Sequence, residues 1–157
     1  MDQSVAKLSI LLDLIGKKVG LLSQILTICE NQEAILVAER SEEYDKLFIG
    51  MGREKQLLVD EVITTDELFQ KIFNEIGEDF EAVGESNTEV IRKLQERIMG
   101  VTELDAKIRL AENRNLERLA QARTTYPKQG ITEVSKQQLL EKYKSNDKKP
   151  KDKRRRK

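Results

Sequence analysis

Taking every third or fourth residue from position 44 to 76 returns Tyr44, Phe48, Met51, Lys55, Leu58, Val62, Thr65, Phe69, Ile72 and Ile76, with only Lys55 and Thr65 polar. That period lines all of them along one side of a helix, as a seam that needs an equally long partner. At about 1.5 Å per residue the helix is on the order of 50 Å long. Residues 5–36 repeat the pattern through Val5, Leu8, Leu12, Ile15, Val19, Leu22, Leu26, Cys29, Glu33 and Leu36, where only Glu33 is charged. Leu11, Ile25 and Ile28 widen this stripe. The first helix is therefore expected to face more than one neighbour, either helix three or a second copy of the chain.

The pattern loses phase between Leu36 and Tyr44. Ser41 is the expected N-cap of the second helix, and Glu42 and Glu43 follow where a helix start favours negative charge. A tight helical hairpin near Arg40 and Ser41 results. Gly50 and Gly52 mark a point where the second helix could kink. Gly-Met-Gly ahead of Arg53 and Lys55 is no phosphate loop, because no strand precedes it and the longer motif is missing. Gly16 and Gly20 have two readings, a weakened helix or a close approach of a neighbour.

The second helix thins out through Gly77 and Gly84, with Phe80 and Val83 its last apolar residues. Ser86 with Glu89 has the spacing of a capping box and predicts the start of a third helix. Its seam is Ile91, Leu94, Ile98, Val101, Asp105, Ile108, Glu112, Asn115, Leu119, Ala122 and Tyr126, more polar in its second half. If the chain folds back near Gly84, position 55 lies level with about position 113. Lys55, the one charge in the central seam, is then expected to face Glu112, as a device that sets register. The competing reading has both side chains reaching solvent at the edge of the seam.

Pro127 and Gly130 end the third helix. Ser135 with Gln138, and Val134 with Leu139, have the spacings of a capping box and a hydrophobic staple, so residues 135–143 should form a short helix. Its apolar residues Leu139, Leu140 and Tyr143 are too few for it to fold alone. Residues 144–157 carry nine Lys or Arg against two Asp, a net of +7 in a chain whose total is zero. This end is expected to be a disordered basic tail.

Composition narrows the chemistry. Of 157 residues 36% are charged and 4% aromatic, the balance of a long-helix protein in one domain. There is no histidine, which removes Ser/His and Cys/His catalysis, the usual zinc sites and Glu-x-x-His di-iron sites. Cys29 is the single cysteine, on an apolar position with no base in reach, so it reads as a small buried side chain in a reducing compartment. Neither a signal peptide nor an apolar run of about 20 residues is visible. The expectation is a soluble, cytoplasmic, non-enzymatic protein without cofactor or metal. The terminal Lys-Arg-Arg-Arg-Lys could bind phosphate backbones or anionic membranes, but no aromatic residues are interleaved with it for stacking on bases.

Glu54-Lys55-Gln56-Leu57-Leu58, leading into Val62-Ile63-Thr64-Thr65-Asp66 and Phe69, resembles the FlgN-like family of flagellar export chaperones, as do Asp105, Ile108, Glu112 and Asn115 in the third helix. The resemblance spans roughly residues 5–125. It implies a cytoplasmic, non-catalytic helical protein that binds the C-terminal helices of hook-filament junction (hook-associated) proteins and delivers them to the export gate. The family's cargo contacts lie toward its C-terminal part. Here that implies Leu119, Tyr126, Val134, Leu139, Leu140 and Tyr143, with Tyr126 and Tyr143 as candidates for docking at the gate. The basic end departs from the family pattern.

The expected fold is all-α, an elongated antiparallel bundle or coiled coil of three long helices in residues 1–126. A linker and short amphipathic helix follow in 127–143, then the tail in 144–157. The rival functions are a structural coiled-coil adaptor or oligomerisation module, and a nucleic-acid binder acting through the tail. The short C-terminal helix either receives a partner or docks on its own bundle.

Overall fold

The computed structural model describes residues 2–125, with side chains described for residues 3–121. The described chain is almost entirely helical and contains no strand. Helix α1 runs over Asp2–Val37, α2 over Glu42–Ile76, α3 over Phe80–Glu85 and α4 over Thr88–Thr125, and a short 3-10 turn, Gly77–Asp79, precedes α3. The predicted short helix, the basic tail, Tyr126, Val134, Leu139, Leu140 and Tyr143 all lie outside the described residues. None of the described helices is long and apolar enough to cross a membrane.

The start of α2 follows the predicted cap. The Tyr44 backbone N–H donates to Ser41 Oγ at 3.0 Å, and the Asp45 N–H donates to the Ser41 carbonyl at 3.1 Å. One of the otherwise orphaned donors of the first turn is thereby satisfied, and Glu42, Glu43 and Asp45 lie in that turn. The weak point expected at Gly50 and Gly52 is absent, since α2 continues unbroken through both. Their cost in propensity, about 1 kcal/mol each, is offset by the packing of Phe48, Met51 and Lys55 beside them.

The end of α2 corrects the sequence reading in two respects. Gly77 takes a positive φ of 56°, the left-handed conformation glycine adopts without a Cβ clash, and this stops α2 at Ile76. Phe80 and Val83 therefore belong to the separate helix α3. The capping box of Ser86 and Glu89 does not open the next helix. Ser86 instead closes α3, with its N–H bonded to the Ala82 carbonyl at 3.3 Å, and α4 begins two residues later. Asn87 links the two helices: its Nδ2 donates to the Val83 carbonyl at 2.8 Å, and its own carbonyl accepts from the Ile91 N–H at 3.1 Å.

The chain divides into two compact units, and α1, α2 and α4 each contribute a part to both. Unit 1 takes Met1–Gln24 and Asp60–Lys107. Its main cluster is apolar: Leu8, Leu11, Ile76 and Val83 are buried together, flanked by Phe69, Ile72, Phe80, Val90 and Ile91. The ring of Phe73 lies 6.5 Å from Phe69 and meets Phe80 edge-on at 5.1 Å, so aromatic contact joins α2 to α3. Ion pairs of Lys7 with Glu75 (3.4 Å), Lys17 with Glu61 (3.8 Å) and Lys18 with Asp66 (2.8 Å) join α1 and α2.

Unit 1 also separates the two glycines left open by sequence. A Cβ on Gly16 would lie 2.9 Å from Arg97 Nη1, which donates to the Leu12 carbonyl at 2.7 Å, so Gly16 admits the guanidinium to the backbone of α1. Gly20 has nothing within 4 Å of that position and is simply a weak helix residue. Thr65, the polar residue of the seam, is buried with its Oγ1 bonded to the Glu61 carbonyl at 2.8 Å. Ile98 is exposed, contrary to the seam expected for the third helix.

Unit 2 begins at Ile25, runs to Val59 and resumes at Ile108. Ile35, Phe48 and Leu119 form its buried cluster, with Leu36, Ile49, Met51 and Leu116 packed against them. The extra width of α1 is confirmed by the burial of Leu11, Ile25 and Ile28. Tyr44 is the one member of the central seam classed as exposed.

Candidate partner-binding site

Two places among the described residues bear on a functional reading. The first is a charged layer in unit 2. Lys55 has a fully buried side chain, and its ammonium donates to Glu112 Oε2 at 2.8 Å and to Gln32 Oε1 at 3.1 Å. The Cys29 thiol approaches the same carboxylate oxygen at 3.9 Å, and Asn115 Nδ2 donates to the Cys29 carbonyl at 3.0 Å. Gln32 Nε2 is buried without a hydrogen-bond partner among the described residues. At the rim, Arg114 and Arg118 pair with Glu33 at 3.2 and 3.3 Å.

The predicted facing of Lys55 and Glu112 is thus present, and the reading in which both reach solvent fails for Lys55. The Lys55 ammonium is engaged by the Glu112 carboxylate and the Gln32 amide oxygen and has no exposed surface, while Gln32 Nε2 has no partner among the described residues. Unpaired, such a charge would be strongly disfavoured, so the geometry ties helix register to the pairing. Gln32 and Ile35 were missed because a single seam was traced through Cys29 and Glu33. The signal was available as a second four-and-three stripe, Ile25, Ile28, Gln32 and Ile35.

The second place is a groove in unit 1, about 550 Å³, lined by Phe80, Glu81, Gly84, Glu85, Thr88, Ile91, Arg92 and Gln95. It exists because Gly77 and Asn87 turn the chain on either side of α3 and lay that short helix beside the first turns of α4. Gly84 lets the two approach, since a Cβ there would lie 3.3 Å from the Ile91 side chain. Phe80 and Ile91 supply an apolar lining, Glu81 and Glu85 an acidic edge. Arg92 is held by Glu96 at 2.6 Å and by a short bidentate contact with Glu89. Hydrogen bonding and charge from Arg92 hold the Glu89 carboxyl below its ordinary range, and Glu89 in turn raises the guanidinium. The edges therefore carry more fixed negative than positive charge, over an apolar lining open to solvent.

Of the residues assigned to partner binding from sequence, only Leu119 falls among those described, and it is buried against Ile35 and Phe48. Tyr126, Val134, Leu139, Leu140 and Tyr143 lie outside them. The groove residues were not singled out from sequence, because Phe80 and Val83 read as the frayed end of a longer helix. No group of His, Cys, Asp and Glu suited to a metal ion occurs among the described residues. No family model matches the sequence, and neither a curated protein nor a solved structure matches the chain.

Proposed function

We propose that this protein is a cytoplasmic, non-catalytic export chaperone of the FlgN-like kind, holding the C-terminal amphipathic helix of a hook-associated partner. In this reading the three long helices form an antiparallel scaffold. The observation that carries it is the groove of unit 1. It is concave and apolar, lined by Phe80 and Ile91, and suits the side chains that an amphipathic helix presents at i, i+3 and i+4. Its excess of carboxylates favours a cargo helix flanked by lysine or arginine. The segment with Tyr126, Val134, Leu139, Leu140 and Tyr143 supplies further cargo contacts, as the family resemblance implies.

Titration of the full chain with C-terminal peptides of hook-associated proteins from the same genome tests this. A peptide is expected to bind, and Thr88→Trp, which fills the groove from an exposed position, should abolish binding while leaving the melting temperature unchanged. Failure of every such peptide, or binding unaffected by Thr88→Trp, would remove the reading.

A further inference from the structure

The α1–α2 hairpin of unit 2 leaves large apolar side chains in the open. Val37, the last residue of α1, is 59% exposed, and Tyr44 and Leu47, one turn apart at the start of α2, are 40% and 49% exposed. Between them lies Arg40, whose side chain is only 7% exposed. Its Nη2 donates to Asp45 Oδ1 at 2.8 Å, but its Nε is buried with no acceptor among the described residues. The site is also acidic, with Glu39 exposed and Glu42, Glu43 and Asp45 in the first turn of α2. Burial pushes the Asp45 carboxyl above its ordinary range, with Arg40 opposing and Glu42 adding to the rise.

We infer that residues 134–157 of the same chain dock on this hairpin. Leu139, Leu140 and Tyr143 cover Val37, Tyr44 and Leu47, and the basic end lies against the carboxylates. Three observations name this occupant over others. Leu119 packs on Ile35 and Phe48, and α4 ends only six residues later, so the chain leaves α4 beside the hairpin. The ten residues from Thr125 to Ser135 reach about 35 Å if extended, and Pro127 and Gly130 allow the reversal. Charge is complementary, +7 in residues 144–157 against the carboxylates of the hairpin. The docked segment also brings backbone carbonyls to Arg40 Nε. The inference does not rest on the chaperone reading, whose groove lies in unit 1; it describes the chain without cargo, in which the side chains that reading assigns to further cargo contacts are seated on the hairpin.

The test uses the full chain carrying Ser145→Cys with a nitroxide attached. Cys29 is fully buried and stays unlabelled in the folded protein. Amide signals of residues 37–48 should broaden, and should recover both at high salt and when Leu139, Leu140 and Tyr143 are changed to serine. No broadening at the hairpin overturns the inference. So does broadening that appears only between a nitroxide-bearing copy and a separate isotope-labelled copy, which would make a second molecule the occupant. Broadening in the unit 1 groove instead overturns it as well, while peptide binding at Thr88 reports separately on the chaperone reading.

Discussion

Unit 1 and unit 2 are built from the same three long helices, yet their interiors differ in kind. Leu8, Leu11, Ile76 and Val83 meet in unit 1 without a charge among them, whereas unit 2 places Lys55, Gln32, Glu112 and Asn115 between its helices. Apolar contact stabilises in proportion to area and says little about which turn of one helix meets which turn of another. A buried ammonium has few acceptable partners, and a layer of this kind would discriminate between registers that hydrophobic packing alone would leave close in energy. If the layer sets register, the double variant of Lys55 and Glu112 keeps its stability while losing that discrimination.

Removing one side of the ion pair should produce the largest effect. Glu112→Leu leaves the Lys55 ammonium buried without its carboxylate, and urea unfolding should show a loss of about 3–5 kcal/mol. Lys55→Met combined with Glu112→Leu should return stability to the parent value or exceed it by about 1–4 kcal/mol. A double variant as unstable as Glu112→Leu would show that the layer contributes stability rather than register. In the apolar unit, Leu11→Ala should cost about 2–5 kcal/mol by the same measurement, with no second substitution able to restore it as cleanly.

Smaller effects sharpen the contrast further. Gly20→Ala should stabilise by about 0.5–1 kcal/mol, because alanine relieves a poor helix residue where space is open. Gly16→Ala should gain less or lose, since Arg97 must retreat from the Leu12 carbonyl. Equal gains from both in thermal melts would contradict the role given to Arg97. The smallest effect concerns pH. The folded-state carboxyl of Glu89 lies below its ordinary value of 4.5, so its contribution is present above that value and is lost as pH falls through the lower, folded one. Glu89→Gln should therefore narrow its stability difference from the parent on acidification, slightly, because the pair is exposed.

Much of the fold was legible because helix periodicity and capping are local. The stripes through Leu8, Phe48 and Leu94 and the cap at Ser41 follow from spacing along the chain, whereas the facing of Lys55 and Glu112 was one of two readings and needed an assumed reversal near Gly84. The α3 segment was not legible. Phe80 and Val83 carry no mark that assigns them to a separate helix, and Gly77 becomes a stop only when its φ turns positive. The groove was unreadable for the same reason, as its lining comes from two helices whose approach depends on Gly77 and Asn87.

Sequence alone determined that this chain makes long amphipathic helices and where the first two divide; it offered Lys55 opposite Glu112, and only the structure showed the lysine buried. It also determined that no histidine is present to act as a base or a metal ligand. Tertiary structure alone decided which glycine admits a neighbour, that Leu119 is interior, that Gln32 joins the ion pair, and that α3 and α4 form an open groove. The division follows from range. Dihedral preferences and three-to-four-residue periodicity act between near neighbours in sequence, while side chains as far apart as Lys55 and Glu112 meet only once the turns between them set direction and register.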